Sequence, residues 1–255
     1  MERGDDGALL SWFELDERLR TGAPLILSVG SFEQHGPHLP LATDAIVVEA
    51  LARAVAARTG GIVLPTLPYG APSRPRSGGG PRFAAPALRL GTLLDSVEQL
   101  AAGAVAAGAR ALVVLSWHWE NAAVLWDALD AALCGTAARA LLFDAPWDYL
   151  APADVEALFP GEEPAWASDH AGRLETAVMR HVAPELVGEP PAPVPFAPRD
   201  GYDVLPTPED AVPATGVVLD ARAVTAAVGE RCFAAMVDGI VRGIAAEEAA
   251  PGPWS

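Results

Sequence analysis

Nothing in the 255-residue chain approaches the roughly 20 consecutive apolar residues that cross a bilayer. The opening stretch MERGDDGALLSWFELDERLR also lacks the apolar segment of a secretory signal, which argues against secretion and makes the cytoplasm the expected compartment. Basic residues are scarce: 17 Lys and Arg stand against 33 Asp and Glu, a formal charge of −16. No basic cluster interleaves with aromatics, so no nucleic-acid partner is expected, because a surface of this sign repels phosphate backbones. Cysteine is nearly absent. Cys134 and Cys232 lie in apolar surroundings, far apart and without metal-ligand spacing, which predicts buried free thiols. Internal repeats and domain linkers are missing too. What remains is 51% hydrophobic and 20% charged, and it reads as one globular domain over residues 1–255, with a core of about 20–248 and a frayed tail over 249–255.

Strands and helices alternate along this chain. PLILSVG (24–30) reads as a buried strand, and DAIVVEALARAVAARTG (44–60) has helical apolar spacing that starts at Thr43-Asp44. GIVLPTLPYG (61–70) is expected to be a second strand; APSRPRSGGGPRF (71–83) is too rich in Gly, Pro and Ser for anything but loop. A helix over 90–109 leads to the strand RALVVLSW (110–117), a helix over 121–135 and the strand RALLFDAPW (139–147). Beyond Trp147 a short helix inside a long loop precedes a helix in AGRLETAVMRHVAP (171–184). The proline-rich segment 188–216 cannot be regular helix, and an amphipathic helix over 220–250 closes the chain. This rhythm predicts an α/β fold, a three-layer α/β/α sandwich around a mostly parallel sheet.

In such sheets ligands bind outside the carboxyl ends of the strands. Glu33 and His35 follow the first strand, His118 and Glu120 follow the strand 110–117, and Asp44 opens a helix. Both Glu/His pairs are spaced i, i+2, which in extended chain turns the two side chains to one side. Two carboxylate–imidazole pairs with a further Asp supply the O and N donors that suit two divalent ions such as Zn²⁺ or Mn²⁺. His181, near a helix C-terminus, reads as a dipole or surface residue.

The stretches GSFEQHGPHLPLATD (30–44), SWHWEN (116–121) and DHAGRLET (169–176) resemble the creatininase family of amidohydrolases. SGGG at 77–80, PWDYL at 146–150, the tryptophan four residues before His170 and YDVLPTP at 202–208 strengthen a likeness that runs from about Leu25 to Ile244. The resemblance implies that Glu33, Asp44 and His118 hold one metal and His35, Asp44 and Glu120 the other, with Asp44 bridging. It implies further that His170 moves a proton to the leaving nitrogen, and that Glu175 orients His170 or a ligand. His38 is assigned to the supporting loop. Ser77, Trp119, Trp147 and Trp166 are the expected substrate contacts, flat walls for a small planar ring. A cyclic amide such as creatinine, a lactam or an imidazolone is the implied substrate, and a homo-oligomer, a hexamer, the implied assembly. A linear-amide peptidase or deformylase, a ring-forming enzyme and a non-catalytic binding protein are the alternatives.

Two departures bear on the substrate. Typical members carry Phe-Pro-Gly-Thr where this chain has Phe83 followed by Ala84, Ala85 and Pro86, and the member this chain most resembles has a tyrosine where this chain has Trp119. Retained ligands with altered walls predict retained chemistry on an altered substrate.

Overall fold

Among the described residues, four parallel strands carry the apolar runs: β1 (Leu25–Val29), β2 (Ile62–Val63), β3 (Ala111–Ser116) and β4 (Arg139–Phe143). They lie in the order β2-β1-β3-β4, with Leu25 opposite Leu112 and Val29 opposite Ser116. The computed structural model describes residues 5–77, 79–80, 86–192, 194, 199 and 201–250. The described helices are α1 (Trp12–Arg20), α2 (Thr43–Thr59), α3 (Leu90–Ala106), α4 (Ala122–Leu133), α5 (Pro152–Leu158), α6 (Arg173–Val182) and α7 (Ala226–Ala249). Among the described residues no helix is long and apolar enough to cross a membrane.

Side chains alternate across a strand, so each strand feeds two cores. Ile26, Val113 and Leu115 join α2, α6 and α7 on one face; Leu25, Leu27, Val29, Leu112 and Val114 join α1, α3 and α4 on the other. A fully buried Leu, Ile or Val contributes roughly 1.5–3 kcal/mol. All five residues of β1 are buried, which anchors the loop that leaves it. The chain passes from β1 to β2 on one side and then to β3 on the other. That reversal opens a crevice at the carboxyl ends of β1 and β3.

Several elements differ from the sequence reading. The second strand is only Ile62–Val63, because Pro65 and Pro68 bring no N–H to a ladder, although Leu67 still bonds to Ser28 and Gly30. α1 was not anticipated, yet its start is a capping box in which Ser11 Oγ accepts from the Glu14 amide and Glu14 accepts from the Ser11 amide. The last helix begins at Ala226 rather than Asp220, since the Thr225 side chain caps it while Asp220 pairs with Arg222. Cys232 is buried, and burial together with Asp154 pushes its thiol up to about 12. Cys134 is not buried. It caps the C-terminus of α4 and is exposed there, correcting the expectation of two buried thiols.

Candidate metal centre

Three loops deliver the polar residues to the crevice. β1 runs into residues 30–42, which carry Glu33 and His35, and Asp44 lies in the first turn of α2. A side chain on Gly30 would collide with the Ala45 backbone at 2.6 Å, so glycine there lets α2 begin against the end of its strand. β3 runs into Trp117 and His118, then into a single 3₁₀ turn, Trp119–Asn121. The third loop brings His170 and ends in α6, whose first turn holds Glu175.

The ligand atoms crowd together. His118 Nδ1 lies 2.8 Å from Glu33 Oε1 and 3.3 Å from Asp44 Oδ2, while His35 Nε2 lies 3.1 Å from Asp44 Oδ1 and 3.7 Å from Glu175 Oε2. Three sets, Glu33/Asp44/His118, His35/Asp44/Glu175 and Glu33/His35/His170, each offer donor atoms within 4.8 Å of one another. Each imidazole turns its other nitrogen to a main-chain carbonyl: His118 Nε2 to Ala71 at 3.0 Å, His35 Nδ1 to Glu33 at 3.3 Å, and His170 Nε2 to Gln34 at 2.5 Å. A carbonyl only accepts, so those nitrogens carry the proton and the opposite ones face the carboxylates.

Burial opposes charge on His35, but the carboxylates of Asp44 and Glu175 outweigh it and raise its pKa well above the ordinary range. The same balance, with Glu33 and Asp44, raises His118. Burial likewise works against an ionised Glu33, but His170, His118 and His35 overcome it and hold the carboxyl well below its usual value. Glu33 Oε2 and Asp44 Oδ2 are buried without a hydrogen-bond partner. Orphaned carboxylate oxygens beside carbonyl-pinned imidazoles fit a divalent cation, which would satisfy both.

The family model described as creatinine amidohydrolase matches residues 8–244. The chain belongs to the creatininase family. Creatinine amidohydrolase of Pseudomonas putida is 32% identical across 93% of this chain and 95% of its own length. A mycofactocin precursor peptide peptidase of Mycobacterium tuberculosis is 35% identical across 88% and 86%. A solved creatininase in its Mn form superposes with a TM-score of 0.90 at 30% identity, covering 97% of this chain and 100% of that one. A mutant creatininase of Zn-Zn type gives 0.91 at 29%, covering 97% and 99%. This chain is thus a creatininase-fold hydrolase with a metal-binding cluster, like relatives solved with Mn and with Zn.

The remaining residues of this creatininase-family site surround a small cleft of about 50 Å³. Glu120 stands apart from the three donor sets: its Oε1 accepts from Ser77 Oγ and from the Arg74 amide at 2.8 Å, and its Oε2 lies 3.4 Å from His118 Nε2. Glu175 sits beside His35 and also accepts from Trp117 Nε1 at 3.2 Å and the Ala171 amide at 2.6 Å. Trp119 stacks on Trp147 with ring centroids 5.8 Å apart and planes 9° from parallel, while Trp166 packs edge-on against Phe159. All three tryptophans line the cleft, as does Ser77. His38 instead reaches away to Thr176 Oγ1 at 3.0 Å, and His181 packs at a tilt against Phe233 with ring centroids 5.4 Å apart. Gly78, Arg82, Phe83, Ala84 and Ala85 lie outside the described residues.

The sequence reading missed two organising residues and a third that lines the cleft. Asn121 donates to the Gly30 carbonyl at 3.0 Å and accepts from the Ala71 amide at 2.9 Å, tying the ends of β1 and β3 to the loop after β2. Gln34 links three loops and receives His170. Asp169 caps α6 through the amides of Arg173 and Leu174, and burial and Glu175 push its carboxyl up to about 7. Asn121 closes the SWHWEN motif, and Gln34 and Asp169 likewise sit inside motifs, so position in the motif was their only sequence signal.

Proposed function

We propose that this protein is a dinuclear-metal amidohydrolase that cleaves a C–N bond of a small cyclic amide. The observation that carries the reading is the convergence of Glu33, His35, Asp44 and His118 at the crevice between β1 and β3, with two buried carboxylate oxygens lacking partners. Glu33, Asp44 and His118 would hold one ion. His35 and Asp44 would hold the second, with Glu120 turning in from Ser77 as its third donor. Glu175 already accepts two hydrogen bonds, which suits it to orienting His35 and the loop of His170. Divalent cations, Zn²⁺ or Mn²⁺, would when bound there supply a water of lowered pKa and polarise the amide carbonyl. His170, with Nδ1 3.8 Å from Glu33 Oε1, carries the proton to the leaving nitrogen.

The cleft walls favour a flat ring, because Trp119, Trp147 and Trp166 line it with aromatic surface. Trp119 brings no hydroxyl, so creatinine is expected to be a poor substrate beside a bulkier or less polar lactam or hydantoin. A peptidase acting on a linear amide is the second reading, favoured by the similarity to mycofactocin precursor peptide peptidases. The deciding experiment measures metal content and then kcat/KM for creatinine, lactams, hydantoins, formamides and short peptides. Turnover confined to peptides would replace the first reading with the second; two metals with no amide hydrolysis would remove both. A cytoplasmic homo-oligomer, a hexamer, completes the proposal, and size-exclusion chromatography with light scattering tests the assembly.

A further inference from the structure

Four loops of the site meet at one residue that is neither acid, base nor ligand. The side chain of Gln34 uses its full donor capacity: Nε2 donates to the carbonyls of Gly79 and Gly216, each at 3.1 Å, and Oε1 accepts from the Gly36 amide at 2.9 Å. The fit at Gly216 is close. Its φ of +72° is one that side chains rarely adopt, and a Cβ built there would sit 1.9 Å from Gln34 Oε1. Gly79 belongs to the loop whose Ser77 holds Glu120, so the amide joins the wall above Glu120 to the loop that carries Glu33 and His35. The main-chain carbonyl of the same residue takes Nε2 of His170 at 2.5 Å.

We infer that Gln34 is a positioning residue for proton transfer: its carbonyl keeps the His170 proton on Nε2 and turns Nδ1 toward Glu33, and its side-chain amide holds that carbonyl in place. The carbonyl can only accept, which selects one of two neutral tautomers that are otherwise close in energy. The working nitrogen of His170 is therefore Nδ1. Without the amide's donated bonds, Gln34 is no longer held to the loops of Gly79 and Gly216, and the carbonyl and the imidazole on it gain freedom to turn. A misplacement of about 1 Å at a reacting group costs on the order of 100-fold in rate.

The inference rests on the proposed function for its rate measurements but not for its spectroscopy. Full-length protein labelled with ¹⁵N-histidine and loaded with Zn²⁺ is examined by long-range ¹H–¹⁵N correlation, with the His170 signals assigned by their loss in His170→Gln. The expected pattern is a protonated Nε2 and a bare Nδ1 in the unaltered protein. Gln34→Met and Gln34→Glu keep the length of the side chain but remove both donated hydrogen bonds. Both are expected to keep the Zn²⁺ content, to show mixed or exchange-broadened His170 tautomers, and to lose about 10- to 100-fold in kcat with KM changed less than about threefold. A proton on Nδ1 in the unaltered protein overturns the inference. So does an unchanged His170 spectrum in both variants, whether or not kcat falls, because Gln34 then acts only on loop shape. If no amide is hydrolysed the proposed function fails, and the spectra still decide the role of Gln34.

Discussion

His38 gives the most direct test of the electrostatics around the cluster. Burial, then His35 and Arg180, push its pKa from the ordinary 6.5 down to about 4, against a smaller upward pull from Glu175. The geometry explains the direction: Nε2 is engaged with Thr176 Oγ1, and Nδ1 is buried with no partner, so a second proton would be an unsatisfied buried donor. Because the folded pKa lies below the unfolded one, the contribution is whole above pH 6.5 and is lost as pH falls from there toward 4. A shift of this size is worth about 3 kcal/mol in full, and about 2 kcal/mol of it disappears between pH 7 and pH 5. His38→Gln keeps a donor for Thr176 and cannot titrate. Urea unfolding of the chelated proteins at pH 7, 6 and 5 should show the original chain losing about 2 kcal/mol more than the variant across that interval. Chelation removes metal loss as a competing cause. Parallel stability curves for the two proteins would refute the reasoning and place His38 in an environment that accepts the proton.

Asp44→Ala should empty both metal positions, and Glu120→Gln should weaken one; plasma emission on dialysed protein checks this, and two equivalents in Asp44→Ala would break the bridging assignment. His170→Ala should keep its metals while losing about 10²- to 10⁴-fold in rate, as expected for a general acid or base. Loss of metal in that variant would make the imidazole a ligand, as its place in the Glu33/His35/His170 set allows. Trp119→Tyr restores a hydroxyl at the cleft wall and should raise kcat/KM for creatinine by about 10- to 100-fold relative to a lactam, the value of a buried polar group gaining its partner. Creatinine emerging as the best substrate of the unaltered chain would leave Trp119 without that role.

The fold was legible where hydrophobic spacing and length agree. β1, β3, β4 and α2 fall within a few residues of their sequence limits, because long apolar runs bounded by Gly or a capping residue leave little choice of state. The second strand was read too long since its prolines act on the ladder and not on the apolar pattern. α1 escaped notice because exposed Trp12 and Phe13 blur its apolar face, although the capping box was present in the sequence. The meeting of Glu33, His35, Asp44 and His118 followed from the strand ends. That Glu175 stands nearer to His35 than Glu120 does was not legible, since it depends on how the loop before α6 crosses the crevice. The tautomers were hidden altogether: they are set by carbonyls of Ala71, Glu33 and Gln34, and carbonyls are the same in every residue.

Those carbonyls have a consequence for how such a site can diverge. An imidazole oriented by a side chain is lost when that partner changes, whereas one oriented by the main chain keeps its direction through any substitution that leaves the supporting peptide in place, as at Ala71 but not at Gln34, whose side chain fixes its own carbonyl. Ala71 can drift so long as its peptide stays in place, and the residues that face substrate can be exchanged without retuning the donors behind them. The cradle is inherited with the path of the backbone, and the wall built from Trp119 and its neighbours is free to follow whatever molecule selection presents to it.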